Sequence, residues 1–506
     1  MKLKFKHIIY SIAIISYSVF SSCDDLLETK NFSDMSPENF FLSEGDIDAA
    51  VTGIYLPITT NWGYGDGGTG GWYSALLCAD LKSYYPKSMI TTDEALAYDL
   101  SNIFNEFNWG PADGDLPHTY HVIRFVARAT DIINQIEQSN AATEEIRERY
   151  IAETKTLRAY YMYVLLDCFG PTNVKLDPTT LMSNEITARP TMETYVGYME
   201  KDLADAIATT SFPDKYNDDA DNWGRMSRAI AYGIRIKLYM HQKQWDKAKS
   251  DAQEIINMGY SLLENYEDVF NVSRTSEHIL SIPANSAYDN FYVTEVLPSD
   301  FKKGYNEFGD SYIRGMNDQW LSGWQAYCMR WDFYDTFSAS DVRKKTILIE
   351  YDTNDGGHKG RDQMRGAIPL KYTDTQKYDY GIQKEHPALR YAEVLLSYAE
   401  AENELNGPST AAVNAVKQIT DRAQTTIPAS AVTSKEAFRD FILAERGREL
   451  YCEGQRRQDL IRHGVFIRRA NERGANAQEH HVLFPIPQAI ITEANGIVVQ
   501  NPGYTN

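Results

Sequence analysis

The chain has 506 residues, with 70 Asp and Glu against 50 Lys and Arg, a formal net charge of −20. No basic block or basic–aromatic strip occurs, which excludes nucleic acid as a partner. The acidic balance also disfavours anionic polymers, although one local pocket can differ from the whole surface. The length allows two or three domains or one large helical body. Rings are plentiful, with 34 Tyr and 8 Trp, and flat amphipathic rings suit stacking against partners.

The N-terminus places Lys2, Lys4 and Lys6 before an apolar run from Ile8 to Phe20, the layout of a secretory signal peptide over 1–22. The run is too short to span a bilayer, which takes about 20 apolar residues. Ser21-Ser22-Cys23 resembles a bacterial lipobox, with Phe20 where an aliphatic residue is usual. By that resemblance Cys23 is acylated and becomes the first mature residue, and several acyl chains give stable anchoring. Asp24 and Asp25 resemble an acidic tag for export to the outer cell surface.

Further along, 143–170 repeats Ile146, Tyr150, Thr154, Leu157, Tyr161, Val164 and Cys168 every three or four residues, which predicts one long helix stopped at Gly170-Pro171. Residues 226–259 predict two helices with a break at Gln242 to Gln244, the second lined by Trp245, Ala248, Ala252 and Ile255. This pair resembles a tetratricopeptide hairpin, without a sustained 34-residue repeat. Helices are predicted over 388–406, 410–424 and 435–455, the last opened by a Thr433/Glu436 capping box. Strand alternation is clearest from Lys345 to Tyr351. Long loops fill 57–92, 170–190, 283–330 and 352–386, and loops of that length are usually functional or packed over the scaffold. The fold class is mainly α with elaborate loops.

Motifs for chemistry are weighed next. The Gly-rich stretch 61–72 lacks the Gly-Lys-Ser/Thr ending of a phosphate loop. It suits a surface loop presenting aromatic faces, or a loop anchored by its own rings. Residues 352–357 lack the final bidentate Glu of a calcium loop; a structural calcium ion elsewhere, on loop carbonyls, stays open, and no other cofactor is expected. Cys78, Cys168, Cys328 and Cys452 are far apart, which argues against a metal cluster, and Cys168 and Cys452 read as small core residues. His118 and His121 lack a third ligand, and His480-His481 reads as a surface pair, so no metal residue is assigned. In 445–462, Glu445, Arg448, Glu449, Glu453, Arg456 and Arg457 recur at helical spacings. Each acid has an arginine within a turn, favouring a permanently charged carboxylate over acid–base chemistry. The stretch reads as a structural ion network, and no catalytic residue is assigned.

Four stretches stand out in the C-terminal half: R-Y-A-E-V-L-L-S-Y-A-E-A (390–401), E-R-G-R-E-L-Y-C-E-G-Q-R-R-Q-D-L-I-R (445–462), F-P-I-P-Q (484–488) and the terminal Q-N-P-G-Y (500–504). Together they resemble the SusD/RagB outer-membrane nutrient-binding lipoproteins. Asp341-Val342-Arg343 and L-R-A-Y-Y-M-Y-V-L-L-D-C-F-G (157–170) agree. The resemblance implies a SusD-like fold with tetratricopeptide-like hairpins as scaffold, with 23–225 as its N-terminal region and 226–506 as its C-terminal region, together one compact body. It implies a non-catalytic lipoprotein on the extracellular face of the outer membrane, held by its lipid anchor. There it would capture oligosaccharides for a SusC-like TonB-dependent transporter.

The resemblance further implies a shallow ligand site built from the loops at 60–90 and 285–325. Pyranose rings stack on aromatic faces, and their hydroxyls need polar partners. The expected stacking residues are Trp62, Tyr64, Trp72, Tyr84, Trp320 and Trp324, and the expected hydroxyl contact is Asp80. A core role for Trp320 and Trp324 stays open, while Trp331 reads as core. Peptide binding on the same fold is a second reading. A helical glycoside hydrolase is a third; it needs two carboxylates about 5–10 Å apart in a cleft, and no acid pair stands out.

Overall fold

The computed structural model describes residues 41–59, 63–65, 72–99, 101–284, 290–313, 323–372 and 382–505. Cys23, Trp62 and Trp320 lie outside the described residues. The body is a run of helices, most of them packed on their neighbours in sequence, with Lys435–Glu449 packed on Tyr391–Asn406. In chain order these are α1 (Ile123–Gln138), α2 (Glu144–Phe169), α3 (Met192–Ala208), α4 (Arg228–His241), α5 (Trp245–Asn257), α6 (Tyr391–Asn406), α7 (Thr410–Arg422) and α8 (Lys435–Glu449). α4 packs on α2 and α3 as well as on α5, so the packing continues across residues 225 and 226.

The centre of the fold is α2. The Thr143 hydroxyl accepts from the Ile146 amide at 3.3 Å, and Glu144 and Glu145 face the positive end of the helix dipole. The sequence showed one apolar stripe, yet from Tyr150 onward almost every residue is buried. A helix covered on all sides must also bury its polar groups in pairs. Arg158 therefore binds Asp202 of α3 through two bonds of 2.7 Å. Gly170 ends the helix at φ +73°, ψ −167°, a conformation open to glycine.

α4 and α5 form the expected hairpin, broken at Gln242 to Gln244 where Lys243 takes a positive φ. Ala248, Ala252 and Ile255 are buried beneath α6, with Trp245 half-buried. α8 differs in its cap: Ser434, not Thr433, accepts from the Ala437 amide at 3.1 Å. The helix also stops at Glu449, and a second helix, α9 (Arg456–Arg462), follows after a turn. All four described cysteines are free and buried.

The expected ion network is present, and its partners come from across the chain. Arg343 is fully buried among Asp341, Glu445 and Glu449, with its shortest contacts to each at 2.7, 2.8 and 3.1 Å. Arg390 binds Glu277, Glu449 and Glu453, and Arg422 reaches Glu277 and Glu449. Arg462 holds Glu400 and Asp459. Burial pushes Glu449 up, but the Arg422, Arg390 and Arg343 guanidiniums outweigh it and hold the carboxyl at about 2. The tail is pinned alongside: Asn501 donates to the carbonyls of Phe169 and Phe484, and Gln500 makes two bonds to the Ile486 backbone.

Two expectations need correction. His481 is buried, not on the surface: its ring packs on Trp109 at 4.7 Å, and burial lowers it to about 4. Within the loop expected at 57–92, Tyr84–Ile90 forms a helix buried at every position.

Candidate functional site

Two short strands, β1 (Gly63–Gly65) and β2 (Trp72–Ser74), pair antiparallel with Tyr64 opposite Tyr73. Alternation sends neighbouring side chains to opposite faces. Tyr73 lies flat on His121, with centroids 3.5 Å apart and planes 9° apart. Tyr64 packs edge-on to Phe125 at 5.5 Å, and its hydroxyl is 3.2 Å from His121 Nδ1. The Ser74 amide donates to His118 Nδ1 at 2.9 Å. Both histidines thus brace the hairpin, and among the described residues no group of His, Cys, Asp or Glu could hold a metal ion.

Ser74 also connects the hairpin to Asp80. Its hydroxyl donates to one Asp80 oxygen at 2.9 Å, and the Lys82 amide donates to the other at 3.1 Å. An ionised carboxylate accepts about four hydrogen bonds, so the half-buried Asp80 keeps capacity for a ligand hydroxyl. Below it Lys87 is buried, donating to the carbonyls of Lys82 and Asp115 and to Thr119. Burial lowers its ammonium to about 8.

The second segment is held just as firmly. Gly323, Trp324, Gln325 and Ala326 donate amide bonds to the carbonyls of Pro298, Thr294, Leu297 and Glu295. They lead into β3 (Tyr327–Met329), which pairs with Ala95–Ala97. The Tyr98 amide extends that pairing to Ala326 O at 2.8 Å. Trp324 projects from this braced backbone with 54% of its surface exposed, the largest exposure of any described aromatic ring. Nearby, the Arg365 guanidinium caps the Tyr98 ring at 4.4 Å and donates to the Tyr98 carbonyl. Burial pushes the Cys78 thiol well up; the Asp80 amide, donating to its sulfur at 3.4 Å, opposes the rise, and the Asp80 and Glu295 carboxylates add to it.

The expected residues therefore divide. Trp324 is exposed and Asp80 is half-buried with acceptor capacity left. Tyr64 is 5% exposed and Tyr84 is 9% exposed. Tyr84 donates to Asp167 at 3.1 Å inside the core. A ring enclosed in the core has no face for a sugar, so these two are withdrawn as stacking residues. Trp72 sits in β2 opposite Gly65. Trp331 is half-buried, donating to Met364 O at 3.1 Å under the Arg361 guanidinium. Sequence reasoning passed over Tyr98 and Arg365, and it named Tyr73 as a ring of the Gly-rich loop without counting it among the stacking residues. Tyr73 adjoins the Gly-rich stretch and was within reach, whereas pairing Arg365 with Tyr98 depends on contacts that no local pattern encodes.

The model of the SusD family matches residues 240–504, just over half of the chain. The chain belongs to the SusD family. It is 25% identical to the SusD-like protein P25 of Formosa agariphila, covering 98% of this chain and 99% of the relative. It is 23% identical to the starch-binding protein SusD of Bacteroides thetaiotaomicron, over 78% and 80% of the two chains. Among solved structures, surface glycan-binding protein A from Bacteroides thetaiotaomicron superposes with a TM-score of 0.72 at 20% identity, covering 92% of this chain and all of that one. A laminarin-binding SusD-like protein gives 0.70 at 21% identity, over 91% and 100%. The mainly helical fold with tetratricopeptide-like hairpins is thereby established.

Proposed function

We propose that this chain is a non-catalytic glycan-binding lipoprotein of the outer-membrane surface. It captures oligosaccharides on the face bearing Trp324 and Asp80 and passes them to a SusC-like TonB-dependent transporter. The observation that carries the reading is Trp324. More than half of its surface is exposed, on a backbone fixed by four amide bonds. A large apolar surface on a rigid segment contributes little to folding and suits a flat apolar partner. Family membership and the glycan-binding names of several relatives point the same way.

The chemistry beside the ring fits a neutral saccharide. Trp324 supplies a stacking face, Asp80 accepts from hydroxyls, and the Arg365-capped Tyr98 lies alongside. Cys23 is the anchor in this reading, and the transporter is the partner. The many carboxylates of the C-terminal half are engaged by arginines, so the protein acts by binding. The test is a calorimetric screen of the full chain in detergent against laminari-, malto- and xylo-oligosaccharides. At least one neutral series should bind saturably and emerge chemically unchanged. Failure of all neutral glycans, with binding of peptides instead, would overturn the reading. Extraction in mild detergent should co-purify a large β-barrel, and a Cys23→Ala chain should no longer partition into the detergent phase.

A further inference from the structure

A cavity of about 510 Å³ lies at the other end of the pairing between Ala95–Ala97 and β3. Arg330, the residue after β3, enters it from one side, and Arg473 enters from the C-terminus of the helix Phe466–Glu472. Leu96 and Phe107 form apolar walls, with Asn108 and the exposed carboxylate of Glu106 at the margin. The volume falls within the ~300–1,000 Å³ of small-molecule sites.

The charge balance here departs from the rest of the protein. Arg343, Arg390, Arg422 and Arg462 are saturated by carboxylates. Beside the cavity, Arg456 and Arg469 hold Asp93 at 2.8 and 2.5 Å. Arg330 and Arg473 form no ion pair with any described residue. Arg330 spends its Nε–H on the Ala95 carbonyl at 3.0 Å, and Arg473 spends one Nη on Arg469 O at 2.7 Å. The Nε of Arg473 is buried with no hydrogen-bond partner. Since a guanidinium carries five donors, most of both forks is unused. Burial and the neighbouring Arg330 charge push Arg473 down to about 10, although Asp93 and Asp332 act in the opposite direction. Two half-buried like charges with no ion-pair partner among the described residues favour an anion placed between them.

We propose that the Arg330–Arg473 cavity is a second binding site, which takes the carboxylate or sulfate oxyanion of an acidic sugar. A fork matches a planar carboxylate with two parallel bonds, and the apolar walls suit the carbon face of a single sugar unit. The same oxyanion chemistry could be supplied by a free inorganic ion. The site is independent of the Trp324 face, because Arg330 follows β3 whereas Trp324 precedes it.

The test uses the full chain in detergent, titrated with trigalacturonate, with galactotriose as its neutral counterpart, and with sodium sulfate, all against sodium chloride at equal ionic strength. Trigalacturonate, sulfate or both should bind and raise the melting temperature, while galactotriose should not compete for the site. Tighter binding of trigalacturonate assigns an acidic sugar; tighter binding of sulfate assigns a free ion. Arg473→Gln should weaken binding at least tenfold without lowering the melting temperature in the absence of anion, because it removes a half-buried charge that has no ion-pair partner among the described residues. Arg330→Gln gives the same readout should that chain fail to fold, and Trp324→Ala should leave anion binding unchanged. The site is overturned if neither anion binds, if both bind Arg473→Gln equally well, or if that variant melts earlier without any anion.

Discussion

The ionic half of the molecule and its loop face use polar groups in opposite ways. Around Arg343 and Arg390 nearly every carboxylate meets a guanidinium from another element, and the whole assembly is buried. Around Trp324 and Asp80 the backbone is braced just as closely, but a ring is more than half exposed and a carboxylate keeps acceptor capacity. Charge density alone therefore does not mark a site. In the richer cluster the groups have already satisfied one another. The proposed site lies where a rigid frame holds an exposed ring and a carboxylate with acceptor capacity left.

The comparison breaks first if the ionic half tolerates damage. Arg343→Ala strands Asp341, Glu445 and Glu449 in the core, and the expected loss is about 3–5 kcal/mol of folding stability, read by chemical denaturation. A loss below about 1 kcal/mol would mean these groups are not structural. A slightly smaller effect is expected from acid. Glu449 titrates at about 2 when folded and near 4.3 when unfolded. Its folded pKa is depressed, so its contribution is present above about pH 4.3 and is lost as pH falls toward 2, on the order of 3 kcal/mol. Melting curves from pH 6 down to pH 2.5 should show that decline, and Glu449→Gln should flatten it.

On the loop face, Trp324→Ala should cost about 2 kcal/mol of glycan binding while leaving the denaturation midpoint nearly unchanged. A core tryptophan would instead cost about 3–5 kcal/mol of folding. The smallest effect sharpens the ionic side. Glu94 is fully buried near Arg456 and Lys371 with no ion pair among the described residues, and one of its oxygens lacks a partner. Burial raises it to about 8, so its stabilising contribution is full below about pH 4.3 and falls as pH rises through 8. Glu94→Gln should gain about 1 kcal/mol at pH 8 and less at pH 5, compared by melting at the two values.

Much of the scaffold was legible because its helices carry local signals. Thr143, the paired glutamates after it and Gly170 bracket α2, and the break at Gln242 to Gln244 separates α4 from α5. The ion network was legible as a class but not in its partners, since Glu277, Asp93 and Asp167 come from distant segments. Tyr84 looked available because it stands beside polar residues in a long stretch without a helical stripe. A seven-residue helix buried at every position has no polar face to declare itself. His481 misled for a related reason: Trp109, which covers it, is supplied by a remote part of the chain. Trp324 was legible as a ring in a polar loop, but its exposure depended on carbonyls from 294 to 298 that fix the backbone beneath it.

Hydrogen exchange across the whole chain, with and without a saturating neutral oligosaccharide from the screen, tests the contrast most directly. The account predicts added protection at 72–82 and 323–326 and no change across 386–396 and 441–462. Protection confined to the ionic half, with both loop segments unaffected, would contradict it.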